Sequence, residues 1–476
     1  MELGQADVPE IEVSGLSLST DRVVPGDLYA ALPGTRTHGA VYADKAVRAG
    51  AVAVVTDSAG EDLLDLDAPV LVVDQPRRVL GMLADRIYGR PSRQLTLIGV
   101  TGTQGKTTTT RLLESALMGA GVPAAVIGTV GTRINGHEVK TSLTTPEAPD
   151  LHALFAVMVE EGVSVCAMEV SSHALVLGRV DGVVFDLACF LNLGRDHLDF
   201  HADVEDYFAA KASLFTPARA RRALVNADDA FGRRLIEGHQ IPTATFAVEA
   251  PAQWRAEQVR LDPTGADFSV TGPGVEASTR VPLAGQFNVS NALCALAAAG
   301  VVGLDVAQIG AAMAGGPGVP GRLESIDRGQ DWSAIVDYAH KPDAVEAALL
   351  ALRPVTAGRL IIVVGAGGDR DHGKRPIMGE IAARLADLVV VTDDNPRSED
   401  PATIRAEILA GTRGGTAEVI EVGGRRAAIE YAVSVAGTGD TVLVAGKGHE
   451  TGQEIAGVVH PFDDRQVLAD VIASTR

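Results

Sequence analysis

The segment LTLIGVTGTQGKTTTTRLLESAL, residues 95–117, carries the residue types best suited to holding a phosphate. An apolar stretch enters a glycine-rich turn, and a helical pattern leaves it. Gly102 and Gly105 let the backbone approach an anion with no Cβ in the way. Backbone N–H groups of such a turn, with a helix N-terminus behind them, favour phosphate oxygens. Lys106 can reach the outer phosphates, and the Thr107 hydroxyl can ligate magnesium. The strict GxxxxGK[ST] spacing is missed by one place, because position 100 is Val and the preceding glycine is Gly99. The loop implies nucleotide use and leaves the reaction open.

Other segments end apolar runs with polar clusters. CAMEVSSHAL brings Glu169, Ser171 and His173. FLNLGRDHLDFH brings Asp196, His197 and Asp199, and EDYFAAKASLF puts Lys211 on an amphipathic helix. Carboxylates at strand ends of α/β sheets commonly serve ligands. Taken singly, such a histidine is usually satisfied by its neighbours and such a lysine usually faces water. In LAGQFNVSNALCALA, Asn288 and Asn291 share one face of a helix start, as ligand contacts or as caps. GRLE supplies Arg322, and VDYAHKPD supplies Asp337. GAGGDRDHGKRP fails the dinucleotide pattern GxGxxG, since position 370 is Arg. TDDNPRSEDP follows the apolar run LVVVT, and AGKGHE follows TVLV. Asp-Asn-Pro alone reads as a turn.

The elements that must position these residues alternate between apolar strands and helices, which implies parallel sheets with helices on both faces. YGRPSRQ (88–94) and GGPGVPGR (315–322) are dense in glycine, proline and charge. They divide the 476 residues into 1–94, 95–318 and 319–476. With 46% apolar residues and 4% aromatic ones, the cores should be aliphatic. The formal charge of −20 argues against nonspecific nucleic-acid binding. Polyanionic substrates must then be held by local cations, backbone amides and metal. Cys166, Cys189 and Cys294 sit in apolar runs without CxxC spacing, so buried reduced thiols are expected. No apolar run reaches the ~18 residues that span a bilayer, and the N-terminus lacks a signal pattern. A cytoplasmic monomer is expected.

The sequence TGTQGKTT at 101–108 resembles the Mur ligase family, which also includes the folylpolyglutamate synthetases. The resemblance runs over about residues 13–470. It implies a three-domain α/β fold: a small uridine-binding domain, a central phosphate-loop ATPase domain with a mostly parallel sheet, and a C-terminal Rossmann-like domain. It implies ATP as co-substrate, bound by Gly102, Thr103, Gly105, Lys106, Thr107 and Thr108, with Asn288, Asn291, Arg322 and Asp337. Thr107, Glu169, His197 and Lys211 would serve Mg²⁺, with Lys211 carrying a CO₂-derived carbamate. Lys106, Lys211 and His197 would be the catalytic set. Where relatives often have Asn, this chain has Gln104.

TDDNPRSEDP and AGKGHE resemble one member of the family, in which DNPR goes with meso-diaminopimelate as the added amino acid. Arg375, Asp394, Asn395, Arg397, Gly446 and Glu450 would form its pocket, Arg397 gripping the distal carboxylate. The opening LSTDRVVPGDLYAALPG resembles the family's uridine site and offers Leu18 and Thr20. Thr144, Thr145, Ser171 and Arg179 match positions that hold the muramoyl dipeptide; Leu177 stands where some relatives have Gln. The resemblance therefore implies ligation of diaminopimelate to UDP-MurNAc-L-Ala-D-Glu through an acyl phosphate. Alternatives are the same ligation with L-lysine, another family reaction, or a nucleotide-gated binding protein that has lost the chemistry.

Overall fold

Strands that are apolar on both faces must be covered on both faces. The computed structural model describes residues 10–194, 196, 200–238 and 240–475. It divides into two compact units. One comprises residues up to Gln253 with Ala297–Asp305, the other Trp254–Leu296 with residues from Val306 onward.

The first unit holds two sheets. The smaller runs Gly15–Ser17, Asp27–Ala30, Ala53–Thr56, Val70–Val72, all parallel. Helix Pro76–Ile87 lays Leu80 and Ala84 against Leu16, Leu28 and Val55. Its proline occupies the first turn, where no N–H is needed. Gly89 and Arg90, both at positive φ, lie in the chain between this sheet and the next.

In the larger sheet, Thr96–Thr101 lies between Val165–Glu169 and Leu187–Phe190. Ala124–Gly128 follows on the first side, and Ala223–Asn226 and Thr243–Ala247 on the second. The chain thus moves out to one side of Thr96–Thr101 and later crosses to the other. That reversal puts a topological switch point at the strand's carboxyl end, where ligands of open α/β sheets bind. Leu97, Phe155, Met168, Phe185 and Phe190 fill the core beside it.

In the second unit the stretch after 253 forms the antiparallel strands Trp254–Asp262, Gly265–Gly272 and Val275–Val281. A further sheet runs Glu324–Ser325, Ser333–Asp337, Thr441–Ala445, Leu360–Val364, Leu388–Val391, Glu418–Glu421. It is parallel except for its first strand. Period-two alternation serves both faces. Ile362, Val364 and Leu443 meet helices Pro342–Leu352, Lys374–Leu385 and Pro401–Thr412. Ile361, Val363 and Val442 meet Arg425–Val435 and Asp464–Ser474. Cys166, Cys189 and Cys294 are buried and none is in a disulfide. No helix among the described residues is long and apolar enough to cross a membrane.

Candidate functional site

Gly105 sits at φ +88°, in the left-handed region, directly before helix Lys106–Gly119. A side chain there would be strained, so the turn needs its glycine. The loop is braced by the chain that follows strand Leu187–Phe190. Thr103 N donates to Asn192 O at 3.0 Å. Gln104 N donates to Asn192 Oδ1 at 2.9 Å, and Asn192 Nδ2 returns a bond to Gln104 O at 3.2 Å. Position 104 is therefore held through its main chain, which makes no demand on Asn over Gln.

Two lysines converge on one carbonyl. Lys106 Nζ donates to Gly102 O at 2.8 Å and to Thr103 O at 3.1 Å. Lys211 Nζ donates to the same Gly102 O at 2.9 Å. Lys211 is only 1% exposed, although its helix, Val204–Ala212, read as amphipathic. Its ammonium lies 4.6 Å from the centre of the Tyr207 ring. The Tyr207 hydroxyl is hydrogen-bonded to Thr103 Oγ1 at 3.2 Å. Burial, and next the charge of Lys106, hold the Lys211 amine well below the usual lysine range, against the pull of Asp196. Burial pushes Tyr207 up to about 12, so its hydroxyl keeps its proton. Thr107 and Thr108 are buried in the first turn of the helix. His197 and Asp199 lie outside the described residues.

Glu169 ends strand Val165–Glu169 and is 1% exposed. Its carboxylate accepts from Thr129 N at 2.8 Å and from Thr129 Oγ1 at 3.1 Å. Gly128 passes so close that a Cβ would collide with Glu169 Oε1. Thr144 Oγ1 is 3.1 Å from Thr129 Oγ1. Thr145 Oγ1 donates to Glu169 O at 2.8 Å and accepts from Ser171 N at 3.3 Å. Ser171 Oγ caps the short helix Ser172–Val176. Arg179 Nε donates to Glu147 Oε1, and Arg77 Nη1 donates to Glu147 Oε2, each at 2.9 Å. Thr144, Thr145, Ser171 and Arg179 are thus gathered around Glu169 and Glu147. Glu147, two residues beyond Thr145, carries no sequence signal of its own and joins the group only through these contacts.

Thr107 and Glu169 offer hydroxyl and carboxylate oxygens, the hard donors magnesium takes. Among the described residues no group of three His, Cys, Asp or Glu side chains is arranged to hold a metal ion. A cation here would complete its shell with water and phosphate oxygens, as magnesium commonly does. Nearby in the same unit, a cleft of about 270 Å³ opens beyond the carboxyl ends of the small sheet. Leu32, Asp57, Asp74, Arg77 and Leu177 line it. Leu18 and Thr20 follow the first strand of that sheet and are half-buried.

In the second unit, Asp337 ends one parallel strand, Gly446 directly follows another, and Asp394 and Asn395 lie just beyond a third. Asp337 Oδ2 accepts from Leu323 N at 2.7 Å and Oδ1 from Ala339 N at 2.8 Å. Burial raises this carboxyl, while the charge of Arg322 and backbone N–H groups oppose the rise. The Arg322 guanidinium lies 4.9 Å from the centre of the Tyr338 ring. Asn288 Nδ2 donates to Ala284 O at 2.8 Å, and Asn291 Nδ2 donates to Asn288 Oδ1 at 3.1 Å.

Asn395 Nδ2 donates to Glu450 Oε2 at 3.0 Å, joining two motifs 55 residues apart. A side chain at Gly446 would collide with Asp394 Oδ2. Arg397, at φ +54°, donates to Gly368 O at 2.6 Å. Arg375 is 0% exposed; it donates to Glu399 at 2.9 Å and to Glu407 at 2.8 Å. Its guanidinium is therefore bound into internal ion pairs, while Arg370, in the loop before helix Lys374–Leu385, is exposed.

A phosphate loop at a switch point of one parallel sheet, with a second parallel sheet of polar carboxyl edge, defines a nucleotide-binding α/β protein. Three family models match it: Mur ligase family, catalytic domain, over residues 12–88; Mur ligase middle domain over 100–299; and Mur ligase, glutamate ligase domain, over 321–448. The chain belongs to the Mur ligase family. It is 55% identical to the UDP-N-acetylmuramoyl-L-alanyl-D-glutamate--2,6-diaminopimelate ligase of Streptomyces avermitilis, over 98% of this chain and 94% of that one. It is 50% identical to the protein of that name from Corynebacterium glutamicum, over 96% and 92%. A solved structure of a ligase with the same name superposes with a TM-score of 0.71 at 32% identity, covering 97% of this chain and 95% of that one.

Proposed function

We propose that this chain is an ATP-dependent ligase joining meso-2,6-diaminopimelate to the D-Glu γ-carboxylate of UDP-MurNAc-L-Ala-D-Glu, a step of peptidoglycan precursor synthesis. The observation that carries the reading is the meeting of DNPR and GKGHE at one sheet edge, with Asn395 bonded to Glu450. The full-length likeness to relatives bearing that ligase name supports it. The γ-carboxylate attacks the terminal phosphorus of ATP, ADP leaves, and an acyl phosphate forms. The amine then adds to the acyl carbon, and the tetrahedral adduct expels phosphate. Without this activation a carboxylate at neutral pH does not acylate an amine.

The phosphate loop and Lys106 hold the terminal phosphates, where positive charge matters most as the phosphoryl group transfers. Asn288, Asn291, Arg322 and Asp337 are the proposed contacts for the rest of the nucleotide. Thr107, Glu169, His197 and Lys211 would hold magnesium, which when bound neutralises charge on phosphoryl oxygens. The neutral amine, which burial favours over the ammonium, is the form that adds CO₂: its lone pair forms an N–C bond, a carbon–oxygen π pair moves onto oxygen, one N–H proton leaves, and a carbamate anion results. Lys211, buried beside Lys106, meets that condition.

The acceptor's uridine end is assigned to the small sheet with Leu18 and Thr20, and its dipeptide to Thr144, Thr145, Ser171 and Arg179. Asp394 and Glu450 suit ammonium groups of the amino acid, and Arg397 its distal carboxylate. To these we add Arg370, which is exposed, whereas the terminal nitrogens of Arg375 are engaged by Glu399, Glu407 and Gly367 O. The enzyme is proposed to act as a cytoplasmic monomer, where ATP and nucleotide-linked substrates are available.

The deciding assay is phosphate release with ATP and the muramoyl dipeptide, run with meso-diaminopimelate, its other isomers and L-lysine in parallel. Release only with the meso isomer is expected. Release with L-lysine at equal efficiency would overturn the assignment of the amino acid.

A further inference from the structure

Lys447 lies within the AGKGHE segment yet is 0% exposed. An ammonium with no access to water must be neutralised and hydrogen-bonded inside the fold. Its Nζ donates to Glu450 Oε2 at 2.9 Å and to Asn395 Oδ1 at 3.0 Å. Asn395 Oδ1 also accepts from Glu454 N at 3.0 Å. With both lone pairs of that oxygen engaged, the amide has one orientation, and its Nδ2 faces Glu450 Oε2. Two donors therefore fix one oxygen of Glu450. Among the described residues no hydrogen bond is made to the other, Oε1, and the Glu450 side chain is 34% exposed.

We propose that Lys447 is a positioning residue: it locks Asn395 and Glu450 so that Glu450 Oε1 receives the ammonium of the incoming amino acid's non-reacting end. The inference rests on the reading of this edge as the amino-acid pocket. Lys447 itself does not touch the substrate. Its cation also offsets the charge of Glu450, so the carboxylate can be held in place before the ligand arrives and little ordering remains for binding.

The test uses the full chain, saturating ATP and muramoyl dipeptide, and two amino acids: meso-diaminopimelate, and 2-aminopimelate, which keeps the reacting amine and the distal carboxylate but lacks the distal ammonium. Lys447→Met keeps the length of the side chain and removes the charge; Lys447→Gln keeps one donor. KM for diaminopimelate is expected to rise tenfold or more in Lys447→Met and by less in Lys447→Gln. KM for ATP and for 2-aminopimelate should stay within about twofold. Equal rises for both amino acids, an unchanged KM for diaminopimelate, or failure of both variants to fold would each overturn the proposal. Wild-type protein that ligates neither amino acid would instead sink the proposed function and leave the geometry of Lys447 standing.

Discussion

The carbonyl of Gly102 receives two ammonium groups, from Lys106 and Lys211, and only one of these lysines is deeply buried. That asymmetry assigns their roles. Lys106, the less buried of the two, is the one we assign to phosphate, and Lys106→Ala should cut turnover by about 10²–10³-fold, the usual loss of one charge-stabilising donor, read by steady-state phosphate release. Lys211 is a burdened amine whose charged form the fold disfavours. Its folded-state value lies below its unfolded one, so in the unmodified chain the unfolded state binds the extra proton and stability increases with pH. Lys211→Met should therefore raise the unfolding temperature in CO₂-free buffer. The gain should be full in acid and shrink as pH climbs toward the ordinary lysine range. The reverse trend would mean that the amine is charged and paired. For activity the same site predicts another outcome. If a carbamate is the working form, Lys211→Ala should be inactive and regain turnover with added short carboxylic acids.

At the scale of elements, glycines at strand ends decide how closely a carboxylate can be brought to its ligand. Gly128 leaves room for Glu169, and Gly446 leaves room for Asp394. Gly128→Ala should push the Glu169 carboxylate aside and raise the magnesium concentration needed for half-maximal activity. Gly446, at φ +122°, adds backbone strain to the collision, so Gly446→Ala should raise KM for diaminopimelate more than KM for ATP. Equal effects on both would mean a general distortion. The strand–turn–helix of residues 95–117 was legible in the sequence because its signals are local: an apolar run, glycines where the backbone must bend, then a helix. The alternation of strands and helices gave the parallel sheets in the same way. What could not be read was which side chains meet across the fold. Lys447 and Asn395 are 52 residues apart, and no periodicity links them. Nor does composition reveal that Arg375 is consumed by Glu399 and Glu407 while Arg370 stays exposed. Lys211 sits in a helix whose pattern suggests a solvated lysine, and only the meeting of that helix with the distant phosphate loop, at Gly102 O, shows it buried.

For the whole molecule, a formal charge of −20 confronts substrates that are themselves polyanions. The general field does not recruit them, so we propose that recognition falls to short-range groups: the glycine-rich turn, Lys106, the Arg179 and Arg77 pair on Glu147, and the guanidinium groups of Arg370 and Arg397. Double-stranded DNA should accordingly fail to stimulate ATP hydrolysis at physiological salt. The division of chemistry between the units makes a stricter demand. The first unit carries the phosphate loop and the second the amino-acid edge, so hydrolysis of ATP by either substrate pair alone would be wasteful. Phosphate release is expected to require the muramoyl dipeptide and diaminopimelate together. Labelling the γ-carboxylate of the dipeptide with ¹⁸O tests the chemical order directly. In an acyl phosphate the carboxylate oxygen bridges carbon and phosphorus, and the amine expels it bound to phosphorus. One labelled oxygen should then appear in each phosphate released. Unlabelled phosphate, formed at the rate of amide product, would mean that water rather than the carboxylate took the phosphoryl group, and Lys106 and the turn that holds it would need another task.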